Sequence, residues 1–131
     1  MLAGTNRITS GGDYKMVVRR GVRVVGPHFV TYLRDNPEGL PPRFGFIVAK
    51  NVGNAVRRNR MRRRLKAACF DLLPTVQPGT DVVIRALPAA HELAWPAVQS
   101  EVGQALLSFQ RRKAAGTTGS GHRRPERPPS P

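Results

Sequence analysis

The chain has 131 residues, with 22 Lys plus Arg against 8 Asp plus Glu and a formal net charge of +14. That length suits one small domain, and the single cysteine, Cys69, excludes an intrachain disulfide or a thiolate metal cluster and fits a reducing compartment. No apolar leader and no membrane-length run are read from the sequence, so a cytoplasmic protein is expected, and so large an excess of positive charge points to a polyanionic partner, nucleic acid before membrane.

In chain order, "DYKMVVRRG" predicts a short helix starting at Asp13, with Tyr14, Val17 and Val18 on one face and Gly21 after its end. "VRVVGPHFVTYLRD" is rich in β-branched and aromatic residues and predicts strand around 22–25 and 28–34, broken at Gly26-Pro27. After the turn chemistry of "NPEGLPP", the nearly continuous apolar run "RFGFIVAK" from Arg43 reads as a central strand buried on both faces. Asn54 then serves as N-cap of the longest helix, in which Met61, Leu65, Ala68, Cys69 and Leu72 recur at helical spacing until Pro74 ends it. A strand from Asp81 and a closing helix with Pro96 in its first turn complete the domain. The closing helix has a core face of Trp95, Val98, Val102, Leu106 (or Ala105) and Phe109.

The order α-β-β(-β)-α-β-α predicts an α/β (α+β) two-layer sandwich, one sheet covered by helices. A single domain is expected over residues 1–113. The segment 114–131, Pro, Gly and Ser-rich with scattered Arg, is too poor in apolar residues to offset its ordering entropy and is expected to be a disordered basic tail.

The stretch "AVRRNRMRRRLK", residues 55–66, carries six arginines and a lysine and no acid. On a wheel of about 100° per residue the apolar stripe takes one arc and packs on the sheet. Arg58, Asn59, Arg62, Arg63 and Lys66 fill a second arc, and Arg57, Arg60 and Arg64 lie toward the other flank. An ordinary solvated face mixes signs, because like charges at i, i+4 cost a few tenths of a kcal/mol per pair. The preference for Arg matters too, since its guanidinium fork matches phosphate oxygens and stacks on bases. Asn59, a mediocre helix former in mid-helix, can donate and accept toward a base edge, a ribose hydroxyl or a hydrated ion. A leucine-zipper basic region would need heptads that Pro74 forbids, and a membrane-surface helix would need an apolar face that the core here uses.

At these residues a family resemblance enters. "KNVGNAVRRNRMRRRLK" closely resembles the signature of the bacterial ribonuclease P protein subunit, with Lys50, Gly53, Ala55, Val56, Arg58, Asn59, Arg62, Arg63 and Lys66 at the pattern's positions. "RITSGGDYKMVVRRGVRVVGPHFVTYL" and "GTDVVIRALPAA" resemble the family's amino-terminal helix with first strand and its later strand, so the likeness spans residues 7 to about 110. The resemblance implies a left-handed β-α-β crossover within the sandwich, which general handedness rules would not predict. It further implies that the protein binds the catalytic RNA of ribonuclease P, one protein per RNA, and holds the single-stranded 5′ leader of precursor tRNA in a cleft between the first helix and the sheet. The RNA, with Mg²⁺ bound mainly by it, would cut the phosphodiester bond. The RNA-binding set is then Lys50, Arg57, Arg58, Asn59, Arg60, Arg62, Arg63 and Lys66, and the leader cleft Tyr14, Val18, Tyr32, Ile47 and Arg85. Val18 stands where relatives often carry a second aromatic residue, so a less aromatic leader contact is expected.

The residues themselves agree that no catalytic or metal site is to be expected in the protein. Two-metal hydrolysis needs clustered carboxylates, whereas Asp13, Asp35, Glu38, Asp71, Asp81, Glu92, Glu101 and Glu126 are scattered, and His28, His91 and His122 form no ligand motif. Lys50 would place an ammonium beside the basic helix's N-terminus. Core packing is the competing role for Tyr14, and the better one for Val18, Phe29 and Phe46; a solvent-facing strand position competes for Arg85. The alternatives to the ribonuclease P reading are a purely structural RNA-binding protein related to ribosomal proteins and an autonomous metal nuclease. A DNA-binding regulator is disfavoured by the absence of a helix-turn-helix pattern or dimer zipper.

Overall fold

Ser10 begins the first helix: its Oγ accepts from the backbone N–H groups of Gly12 and Asp13, and α1 runs over Gly11–Arg20. The helix therefore starts two residues before the expected Asp13, because the cap hydroxyl offsets the poor helix propensity of Gly11 and Gly12. The computed structural model describes residues 2–36 and 39–114. The tail expected over 114–131 lies outside the described residues from 115 onward.

Four strands follow the expected pattern, with β1 at Val22–Val25, β2 at Phe29–Asp35, β3 at Arg43–Ile47 and β4 at Thr80–Ala86. Helix α2 spans Ala55–Leu72 and α3 spans Trp95–Ala114. The sheet order is β1-β2-β4-β3, antiparallel except for β3 beside β4. So β4 is central and β3, expected at the centre, is an edge. Its apolar run is explained by cover on both faces and by the segment before α1, where Ile8 N–H donates to the Phe44 carbonyl at 2.9 Å and Asn6 Nδ2 donates to Pro42 O at 2.8 Å. The parallel β3-α2-β4 connection is a crossover that carries the basic helix.

Strand alternation divides the sheet into two surfaces. Phe29, Leu33, Phe44, Val82, Ile84 and Ala86 face the larger core, against Met61, Leu65, Ala68 and Cys69 of α2 and Val98, Val102, Leu106 and Phe109 of α3. Each fully buried aliphatic or aromatic side chain contributes about 1.5–3 kcal/mol, so the stripe that holds α2 in place is independent of the charges on its other faces. Burial also pushes the Cys69 thiol well above its ordinary pKa and makes it an inert core group. On the opposite surface Ile8, Val17, Tyr32 and Val83 form a smaller cluster under α1.

Glu101 on α3 ties this helix to the β1–β2 hairpin. Its Oε2 accepts from the backbone N–H groups of His28 and Phe29, both at 2.9 Å, and its Oε1 lies 2.9 Å from His28 Nδ1. Removing the carboxylate leaves two partly sheltered N–H donors without acceptors. Glu101→Ala is expected to cost about 2–3 kcal/mol, read as a lower urea midpoint at unchanged slope; a change below about 0.5 kcal/mol would mean that water replaces the carboxylate at no cost.

Candidate nucleic-acid interface

Helix α2 is positioned by Gly53 and Asn54. Gly53 adopts φ +154°, a backbone conformation that side chains resist, and a Cβ there would lie 2.9 Å from Arg57 Cδ. Asn54 caps the helix, its Oδ1 accepting from Arg57 N–H at 2.9 Å. Lys50, placed by the sequence at the end of the strand, instead opens a short 3₁₀ turn, Lys50–Val52, and is exposed. Glycine at 53 is thus required twice, by its backbone and by the Arg57 stem lying across it.

The six arginines and one lysine of α2 have no carboxylate partner within 4.0 Å among the described residues. They divide into two flanks. On the side of β3, Arg62 donates from Nη1 to Asn59 Oδ1 at 3.2 Å and from Nη2 to Val48 O at 3.3 Å. Asn59 therefore orients Arg62, a role that its mid-helix position in the sequence does not disclose. Arg58 is half-buried and its Nε is shielded from solvent without a hydrogen-bond partner. Arg63 is exposed and Lys66 half-buried on the same arc. On the other flank Arg57 and Arg60 are exposed, while Arg64 donates to Leu93 O at 2.9 Å.

The second candidate surface lies where α1 crosses the sheet. Register aligns Tyr32, Val83 and Gly45 in one row and Val25, Val30, Arg85 and Ile47 in the next. The first row is covered by α1. Tyr14 lies directly on Gly45, where a Cβ would come within 2.5 Å of the ring, and its hydroxyl accepts from Phe46 N–H at 3.0 Å. The second row is more open: Val25 is 61% exposed, Arg85 is exposed, and Val30 and Ile47 are half-buried. Tyr14 and Val18, one helical turn apart and both half-buried, flank this opening from α1.

The structure thus brings Tyr14, Val18, Tyr32, Ile47 and Arg85 to one side of the sheet, but not as equals. Tyr32 is only 7% exposed and belongs to the small cluster, with the Arg85 guanidinium 5.7 Å from its ring centroid. Its face is occupied by a cation–π contact, so it is no free stacking platform unless Arg85 moves. Gly45, which carries no signal in the sequence, is what lets Tyr14 approach the sheet. Phe29, read as packing, is buried, and Phe46 lies half-buried against the larger core.

Two carboxylates, Asp81 and Asp13, are engaged beside β3. Asp81, 1% exposed, accepts from Arg43 at 2.9 and 3.0 Å and from Asn36 Nδ2 at 3.3 Å, and Arg43 also reaches Asp13 at 3.3 Å. The Asp81 hydrogen bond outweighs burial and holds the Arg43 pKa above its ordinary value. Among the described residues no group of three His, Cys, Asp or Glu could hold a metal ion. No helix among the described residues is long and apolar enough to cross a membrane.

Residues 2–110 match the family described as Ribonuclease P. The ribonuclease P protein component of Clavibacter michiganensis subsp. michiganensis is 50% identical over 106 residues, covering 81% of this chain and 94% of that protein. The ribonuclease P protein component of Pseudarthrobacter chlorophenolicus is 40% identical over 114 residues, covering 87% of this chain and 84% of the relative. In fold, the chain superposes on the RNase P protein of Staphylococcus aureus with a TM-score of 0.72, at 24% identity, over 81% of this chain and 95% of that one.

Proposed function

Because the chain belongs to the ribonuclease P protein family, the protein part of a tRNA-processing endoribonuclease with an RNA partner, we infer that it docks the catalytic RNA through α2 and guides the 5′ leader of precursor tRNA along the α1 side of the sheet. The observation that carries this reading is the absence of any acidic partner for the seven cations of α2 among the described residues. Like charges at i, i+3 and i+4 repel in the free protein; RNA phosphates turn that cost into attraction and release counterions. In this reading Lys50, Arg57, Arg58, Asn59, Arg60, Arg62, Arg63 and Lys66 form the docking face. The leader runs over Val18, Ile47 and Arg85 beside the Tyr14 ring, with Arg85 available to a phosphate and the apolar row to the bases. Tyr32 supports Arg85 from beneath.

The chemistry belongs to the RNA in this proposal, with Mg²⁺ on the RNA and no side chain of this chain as acid, base or ligand. The protein acts by charge and position: it lowers repulsion between two RNAs and aligns the substrate's leader, so that the complex works at lower Mg²⁺. One protein per RNA, in the cytoplasm, completes the proposal.

The test is cleavage of a precursor tRNA at low Mg²⁺ by ribonuclease P RNA, with and without this protein, and by the protein alone. Activity is expected only in the combination, with tighter substrate binding as the leader is lengthened. Gly45→Ala, which must displace the Tyr14 ring, is expected to weaken that leader dependence by about tenfold, the ~1–3 kcal/mol of one stacked or packed base, while RNA docking through α2 persists. A protein that binds RNA and changes neither cleavage nor leader affinity would belong to another RNA-binding particle, and cleavage by the protein alone would establish an autonomous nuclease.

A further inference from the structure

The flank of α2 turned away from β3 holds a recess of about 380 Å³, lined by Arg57, Arg60, Met61, Arg64, His91 and Glu92. Its size falls within the ~300–1,000 Å³ of ligand clefts. Four of its residues come from one face of α2, Arg57, Arg60, Met61 and Arg64 at i, i+3, i+4 and i+7, and the opposite wall is the 3₁₀ turn Pro88–Glu92. Two of the arginines have defined neighbours. Arg57 has its stem laid across Gly53, the residue with φ +154°, and Arg64 is tethered by its 2.9 Å hydrogen bond to Leu93 O. Met61 is 1% exposed and closes the floor.

We propose that this recess takes a nucleotide unit extruded from the RNA partner, its phosphate on Arg57 and Arg60 and its base over Met61 between the Arg64 and His91 side chains. The inference rests on the RNA-docking reading and extends it to a second flank of α2 and to two residues, Arg64 and His91, outside the set taken from the family pattern. The wall chemistry selects a nucleotide over a bare anion. A site for phosphate alone gains nothing from a carboxylate, yet Glu92 stands at the rim, 76% exposed and 3.9 Å from His91 Nε2. A nucleotide uses both signs: guanidinium groups bind its phosphate, and the carboxylate accepts from an exocyclic amino group on its base. Single-stranded RNA supplies such units, because unstacked bases insert beside arginine planes, imidazoles and thioethers.

The test follows the imidazole resonances of the full chain by NMR, with adenosine 5′-monophosphate, adenosine and inorganic phosphate as probes. The monophosphate is expected to move His91 saturably while leaving His28 and His122 in place, with adenosine and phosphate each at least tenfold weaker. Arg57→Gln with Arg60→Gln should weaken the monophosphate by at least tenfold, and ribonuclease P RNA should displace it. Equal movement of all three histidines by phosphate would mean diffuse charge screening and overturn the pocket. Tight RNA binding that leaves His91 unmoved would overturn the pocket alone. A monophosphate that binds and is not displaced by bound RNA would make this a free-nucleotide site and overturn the RNA assignment. A chain that takes the monophosphate but binds no RNA would overturn the docking reading itself.

Discussion

Asp81→Ala is expected to destabilise the protein by about 3–5 kcal/mol, the cost typical of removing one partner from a buried ion pair. Asp81 is 1% exposed on the central strand and receives both Nε and Nη2 of Arg43, at 3.0 and 2.9 Å. Arg34 Nε lies 4.0 Å from the same carboxylate and has no hydrogen-bond partner, so it depends on Asp81 for its only nearby negative charge among the described residues. Removing the carboxylate takes two hydrogen bonds from Arg43, which retains its 3.3 Å contact to Asp13, and leaves Arg34 with no nearby negative charge among the described residues. Against a total stability of ~5–15 kcal/mol, the thermal midpoint should fall on the order of 10–20 °C. Arg43→Ala is expected to cost less, and the double variant less than the two single changes added, since the pair is coupled. An Asp81→Ala midpoint within about 3 °C of the parent would show that the carboxylate's desolvation cancels what it contributes.

The same cluster connects stability to the leader side of the sheet. Arg43 Nη1 donates to Asp13 Oδ2 at 3.3 Å, and Asp13 precedes Tyr14 on α1. Tyr14 in turn accepts from Phe46 N–H over Gly45. The first turn of α1 is thus held at β3 by an ion pair and a hydroxyl, two contacts spanning 30 and 32 residues of sequence. Neither is visible in a local pattern, and both set the height of the ring above the sheet.

What could be read from the sequence follows from the range of the interactions. Helices α2 and α3 are legible because their stripes repeat within the helix, and the residues on them, Met61, Leu65, Ala68 and Cys69 with Val98, Val102, Leu106 and Phe109, are buried as expected. Strand order is not legible in the same way. "RFGFIVAK" reads as central because both of its faces are apolar, but an edge strand covered by a helix on each face has the same composition. The start of α1 is hidden because Gly11 and Gly12 read as a break while Ser10 supplies the cap. The basic face of α2 announces its charge in any reading, yet its division into two flanks depends on Val48 O and Leu93 O, which accept from Arg62 and Arg64. Tyr32 is aromatic in sequence and buried in the fold, because α1 covers its row of the sheet and the Arg85 guanidinium lies over its ring.

Arg58→Ala with Arg62→Ala should produce the largest functional loss, and for a reason specific to these two of the seven cations. Arg62 is held by Asn59 Oδ1 and Val48 O through one N–H on each terminal nitrogen, so the remaining donors of its fork are presented with little rotamer entropy left to lose. Arg58, one turn earlier, is half-buried with its Nε shielded from solvent, so its terminal nitrogens are the donors it can present to an RNA phosphate. Two charge-assisted contacts at about 1.5–3 kcal/mol each imply a loss of RNA affinity of about 100-fold or more. The log–log dependence on salt should flatten by about 1.4–1.8, two phosphates at roughly 0.7–0.9 each. Arg62→Lys separates charge from geometry, since it keeps the slope and loses the fork. Asn59→Ala should reproduce part of the Arg62 loss without altering charge. The stripe of Met61, Leu65, Ala68 and Cys69 is untouched, so α2 remains on the sheet and the loss is read on a folded protein. An unchanged salt slope in the double variant would mean that neither guanidinium meets phosphate, and would move the docking face to the flank of Arg57, Arg60 and Arg64.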